Sequence, residues 1–315
     1  MTYVSNDPSW WPTINSNVLF SYWIVVSGIV VVYDWVLTLE QEVELIWRQR
    51  WSLMTVLYLV IRYIGIPYSV AKVLPSMIWV SLTDAVSNIM YYALHGTSMV
   101  VGVMLGVIMI ARLHAMYQGS SAIFIFLVII FLAVNIACGV IVAITLKDTV
   151  GEELIISGMY MCDYGYEGDT QLLVSMVWIL ITVWEVLALC LSVWIAVKHF
   201  YDLRRLGPST GSTIGDCFRV LMQSHVLYFA SFICVSCLEL TIPSMELMNQ
   251  NSIGAQILYG ALPILSVMQM FVLGPRLILS VREYHGELME DSDAETSMNS
   301  IVFKERVHVS TSSTV

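Results

Sequence analysis

Residues 112–147 read RLHAMYQGSSAIFIFLVIIFLAVNIACGVIVAITLK, and no Asp, Glu, Lys or Arg stands between Arg112 and Lys147. A helix needs about 20 apolar residues, at 1.5 Å rise each, to cross roughly 30 Å of hydrocarbon. The part from 120 to 145 meets that requirement. Six further stretches read the same way, over about 17–38, 52–74, 86–110, 172–197, 216–240 and 256–280. The whole chain is 58% hydrophobic and only 12% charged. A soluble domain carries roughly 25% charged residues, so lipid is the solvent for most of this sequence.

The basic residues give the sidedness. Eleven of the fourteen fall on one side of the seven stretches: Arg48, Arg50, Arg112, Lys198, Arg204, Arg205, Arg219, Arg276, Arg282, Lys304 and Arg306. Lys72 and Lys147 fall on the other side, and Arg62 lies inside the second stretch. The positive-inside rule makes the basic side cytosolic. The expectation is an all-α integral membrane bundle of seven transmembrane helices, with the amino terminus outside and the carboxyl terminus in the cytosol. Its parts are an exterior segment over 1–16, the seven-helix domain over 17–281 and a disordered cytosolic tail over 282–315. The first basic residue is Arg48, so no cleavable signal peptide is expected. A plasma membrane or another membrane of the secretory pathway is the expected location.

The connections have distinct characters. Leu146–Gln171 is the longest exterior loop, acidic and rich in Gly and Tyr. Leu39–Trp51 is a short charged cytosolic loop in which Glu44 and Arg48, spaced i,i+4, favour a helical extension. Gly207–Thr213 is a cytosolic turn, and the Ser/Thr-rich, acidic end reads as a solvated tail. The net charge of −10 offers no basic patch for nucleic acid. Cys162 is the clear exterior cysteine, and a bridge to Cys234 or Cys237 fits an oxidising compartment.

Ionisable groups at membrane depth are the first functional candidates, because burying them costs several kcal/mol unless they are paired or wet. Counting along the spans places Arg62 and Glu185 near the midplane. An Arg62–Glu185 pair joining helices two and five is the economical reading, with Asp34 as the alternative partner. In the third span, Asn88, Tyr91, His95, Ser98, Gly102 and Gly106 recur at helical spacing and should face the bundle interior. Gly102 and Gly106 are spaced for close helix approach. Asn135, Gln223, His225, Tyr228 and Gln269 extend the polar interior.

Known membrane chemistries leave marks that are missing here. There is no paired-His box, no His-Glu-x-x-His, no Gly-x-Gly-Asp, and no second Cys or His pair to complete a four-ligand metal set with Cys234-x-x-Cys237. The last span has no Lys to carry retinal. No enzyme activity, cofactor or metal is therefore expected.

Three segments carry a resemblance. The first runs Tyr33-Asp34-Trp35-Val36-Leu37-Thr38-Leu39-Glu40-Gln41-Glu42-Val43-Glu44-Leu45-Ile46-Trp47, through Arg50-Trp51-Ser52, to Arg62-Tyr63. The others are Ala111–Tyr117 and Pro275–Glu283. Together they resemble a family of basidiomycete multi-pass membrane proteins that share an uncharacterised amino-terminal domain. That resemblance implies a seven-helix topology and draws attention to Asp34, Glu42, Trp47, Arg50, Arg62 and Arg112. It implies no activity. Similarity to G-protein-coupled receptors is architectural alone: Ala111 and Leu113 flank Arg112, and Gly274-Pro275 stands in the last span without an Asn-Pro-x-x-Tyr.

The functional expectation is a receptor-like or sensor-like protein. A pocket among helices two, three, five, six and seven would take a small-molecule ligand, and the loops and tail would meet a cytosolic protein partner. The competing classes are a small-solute or proton transporter or channel, and a non-catalytic membrane scaffold.

Overall fold

The computed structural model describes residues 3–49, 51–77, 83–117, 121–148, 150–165, 170–206, 226, 228–241 and 253–283. Arg50, Gln223, His225, the Gly207–Thr213 turn and the tail from 284 lie outside these residues. Among the described residues, six helical segments are long and apolar enough to cross a membrane: Pro8–Leu37, Leu53–Ser76, Ala85–Met116, Ser121–Lys147, Leu172–Lys198 and Gln256–Glu283. A shorter apolar helix, Tyr228–Glu239, occupies the second half of the stretch expected at 216–240.

We label the helices α1 (Trp11–Leu37), α2 (Leu39–Glu42), α3 (Leu53–Ser76), α4 (Asp84–Met116), α5 (Ser121–Asp148), α6 (Thr170–Leu206), α7 (Tyr228–Glu239) and α8 (Ile253–Met268). After α8 the backbone widens into a π turn at Gln269–Leu273 and resumes as α-helix over 274–283. The last helix thus passes position 281 and is helical through Glu283.

Local chemistry sets several boundaries. Helical structure begins before position 17, because Asp7 accepts a hydrogen bond from Ser9 N at 2.9 Å and Pro12 suits the first turn of α1. The same Ser9 hydrogen bonds hold the Asp7 carboxyl below its usual range. At the other end of α1, Thr38 returns its backbone N–H and its hydroxyl to Asp34 O. Ser52 starts α3 through a capping box with Thr55.

The loop Leu39–Trp51 is helical as expected, but Val43–Trp47 winds as a π turn. Glu44 and Arg48 form no ion pair there.

The all-α expectation holds for the membrane part and misses a small sheet beside it. β1 (Tyr3–Ser5), β2 (Val150–Ile156) and β3 (Met159–Gly165) pair in that order, β1–β2 parallel and β2–β3 antiparallel. The hairpin turns at Ser157 (φ 54°) and Gly158 (φ 79°), a two-residue turn whose positive φ values match strand twist. This sheet marks one end of the bundle, here the sheet end. Cys162 pairs with Glu153 in the hairpin backbone. The expected bridge from Cys162 is not made to α7, since Cys234 and Cys237 are free thiols. Both are exposed, while the next-turn residues Phe232, Ser236 and Glu239 are buried, so the cysteines occupy the outer face of the helix.

α1 packs between α8 and α3, α3 against α4, α4 against α5, and α5 against α6, which also reaches α4. Two apolar cores result. One joins α1, α3, α4 and the last helix around Tyr58, Ile61, Leu105 and Phe271. The other joins α4, α5, α6 and α7 around Leu113, Leu127, Phe131, Trp184 and Phe229. Large apolar side chains on the outer faces of α1, α5 and α6, such as Ile29, Ile129 and Trp194, remain exposed for lipid.

Candidate functional site

Two polar constellations occupy opposite ends of the bundle. The first is an ion-pair lattice at the end away from the sheet. Its centre is Glu42, a carboxylate with no exposed surface. Glu42 Oε1 accepts from Trp47 Nε1 at 3.1 Å and from Tyr63 OH at 3.0 Å, and Oε2 accepts from Tyr58 OH at 3.4 Å. The π turn explains the Trp47 contact, because widened winding brings residue i+5 back over residue i. Arg62 Nε lies 2.5 Å from Glu42 Oε2, a charge contact whose N–H is not aligned on the oxygen.

Arg62 also bridges to α1. Its Nη1 is 3.7 Å from Asp34 Oδ2, and its Nη2 donates to Trp35 O at 2.8 Å. The guanidinium sits 5.7 Å from the Tyr58 ring centroid. On the far side of Asp34, Arg276 contacts Oδ1 through Nε and Nη2, both at 2.6 Å. Two acids and two bases therefore balance, with Asp34, Glu42 and Arg62 buried and Arg276 half-exposed at the rim, which is how charges survive at low dielectric. Nearby, Arg282 donates to Leu45 O, Ser52 Oγ and Thr55 Oγ1 at 2.9, 3.1 and 2.5 Å. Arg112 Nη2 donates to Leu277 O at 2.7 Å. Three arginines thus bind the end of the last helix to α1, α3, α4 and the π turn Val43–Trp47 after α2, together the α2 turn.

The expected Arg62–Glu185 pair is not formed. Both residues sit at similar depth by count, but helical side chains lean toward the amino terminus of their own helix. α3 starts at the lattice end and α6 at the sheet end, so Arg62 and Glu185 lean apart. Asp34, the alternative partner, is one of the two that Arg62 meets.

The second constellation is a cavity of about 310 Å³ in the sheet half, walled by α4, α5, α6, α7 and the last helix. Eight of the sequence candidates line it: Tyr91, His95, Ser98, Gly102 and Gly106 on α4, with Asn135, Glu185 and Gln269. Glu185 is 6% exposed, Ser236 reaches its carboxyl, and its Oε2 has no hydrogen-bond partner. Gln269 Oε1, at the start of the π turn, is likewise buried without a partner. Asn135 spends its Nδ2 on Phe131 O at 2.7 Å. His95 is exposed, with its Nδ1 3.0 Å from Tyr91 O and its ring 4.2 Å from the Tyr91 ring. Asn88 is half-buried on α4 and is not part of the cavity wall.

Gly102 and Gly106 behave differently. A Cβ on Gly106 would collide with the Phe131 ring, so α4 and α5 meet closely there. A Cβ on Gly102 would meet nothing within 4 Å beyond its own stretch of helix, because it would face the cavity. Sequence reasoning missed Arg276, Tyr58 and Tyr63 as lattice members and Ser236 and Glu239 as cavity residues. Tyr58 carried a usable signal, since it precedes Arg62 by four residues on one helix face. Arg276 lay in the Pro275–Glu283 segment of the resemblance, with nothing to mark Asp34 as its partner. Among the described residues no cluster of His, Cys, Asp or Glu suits a metal ion.

No curated protein matches the chain. Residues 22–67 match the profile of a family of unknown function, DUF6533, and this similarity covers the segment that supplies Asp34, Glu42, Trp47, Tyr58, Arg62 and Tyr63 to the lattice.

Proposed function

We propose that this chain is a seven-helix, receptor-like or sensor-like membrane protein without catalytic activity of its own. A small molecule in the cavity biases the packing of the last helix at the lattice end. The supporting observation is that the last helix belongs to both constellations: Gln269 reaches the cavity with an unpartnered oxygen, and Arg276 closes the lattice on Asp34. Between them lies the π turn, a winding that often marks functional sites. Phe271 in that turn packs on Gly65, where an added Cβ would stand 3.0 Å from its ring.

On this reading the lattice end is cytosolic, following the eleven basic residues on that side. α7 belongs to the sixth of the seven spans, and the basidiomycete family is the natural group. The cytosolic turns and the tail present the surface for a protein partner.

Reconstitution into sealed liposomes tests the reading against transport. A sensor passes no net current of protons or small organic cations above protein-free liposomes under an imposed gradient. A flux that Gly102→Leu abolishes by filling the cavity makes the protein a transporter and overturns the proposal.

A further inference from the structure

Resting on the reading of the cavity as a ligand site, we propose that its occupant is a small apolar molecule carrying a protonated amine, with Glu185 as counter-charge. The unpartnered polar atoms decide the chemistry. Glu185 Oε2 and Gln269 Oε1 are both acceptors, both buried, and both on residues that line this cavity. A buried acceptor without a donor carries a desolvation cost, and a carboxylate without a counter-charge carries a larger one. The missing groups are hydrogen-bond donors and one positive charge.

The protein does not supply them from its described residues. Lys72 is not part of the cavity wall, and its ammonium sits 6.0 Å from the Tyr68 ring. Arg62 is held in the lattice at the far end. Asn135 gives its amide to its own helix. An ammonium group answers both needs, with three donors and a charge, whereas one hydroxyl supplies a single donor and no charge. A carboxylate ligand would meet Glu185 with like charge.

The rest of the wall suits the body of such a molecule. Trp178, Trp184, Phe131 and Phe232 present aromatic surface, and Phe131 and Trp184 lie 5.2 Å apart with their planes at 48°. Aromatic faces attract cations as well as apolar groups. About 310 Å³ is at the small end of the range for ligand pockets.

The test uses the full chain purified in detergent and follows binding by thermal stabilisation. The probes are benzylamine, tryptamine and octylamine, each beside the alcohol and the carboxylate of matching skeleton. At least one amine should bind the wild type more tightly than its alcohol, with its carboxylate weakest. Glu185→Gln, which keeps size and removes charge, should weaken that amine by roughly ten- to hundred-fold and leave the alcohol nearly unchanged. The proposal is overturned if no amine exceeds its alcohol, or if Glu185→Gln leaves the amine preference intact. Should Glu185→Gln not fold, the wild-type comparison of amine with alcohol decides alone. Gly102→Leu separates the two levels of the argument. If alcohols bind best and Gly102→Leu abolishes their binding, the cavity is a ligand site and the amine assignment falls. If Gly102→Leu changes no probe's binding, the cavity reading falls as well.

Discussion

Arg62 illustrates why a buried charge is placed by the direction of its side chain and not by its depth alone. Its guanidinium contacts Asp34 and Glu42 on α1 and α2, so removing it leaves Glu42 without a counter-charge while Asp34 keeps Arg276. Breaking a buried pair costs about 3–5 kcal/mol in soluble proteins, and less in a membrane because the unfolded reference finds partners. Arg62→Leu should therefore lower thermal stability in detergent, and Arg62→Leu with Glu42→Leu should recover part of the summed loss. Arg62→Leu with Glu185→Leu should show simple additivity, since these residues do not meet. Coupling in the second pair and none in the first would reverse the assignment. The sequence displayed all three charges, and the resemblance over 33–63 singled out Asp34, Glu42 and Arg62 together. It did not show that Arg276, more than two hundred positions away, completes the group, because nothing local marks a long-range partner.

At the scale of elements, the two glycines of α4 make opposite predictions from one sequence motif. Gly106→Leu forces the Phe131 ring aside, and overpacking of this kind costs about 1–3 kcal/mol. Gly102→Leu meets open space and should fold with wild-type stability. Melting curves of the two variants decide; equal losses would contradict the placement of the cavity. A second element is the α2 turn. Arg282→Ala removes three contacts to Leu45, Ser52 and Thr55, and hydrogen exchange over 43–49 should quicken while α5 is unaffected. Helices were legible because long apolar runs in lipid leave the backbone no other choice. The sheet was not legible: acidic Glu152, Glu153 and Asp163 broke the apolar alternation in a segment that reads as a loop. The π turns carry no sequence period of their own.

At the scale of the molecule, the alternation of basic residues predicts that an epitope before Tyr3 is exterior and one after Glu283 is cytosolic. Protease protection in sealed vesicles checks this, and digestion of both from one side would break the seven-span reading. The cavity candidates were legible as a set, since inward-facing polar residues on different helices must share an interior. Which of them keep unpartnered atoms depends on packing that spacing does not encode, as Asn135 and Gln269 show. The central claim is that the cavity and the lattice are coupled through the last helix. Spin labels at positions 39 and 283, after replacement of the exposed native cysteines, report the spacing between the α2 turn and the end of that helix. Gly102→Leu, which fills the cavity, should shift the measured distance distribution in the same direction as Arg276→Gln, which opens the lattice. A distribution that moves with Arg276→Gln and stays at its wild-type position with Gly102→Leu would contradict the coupling.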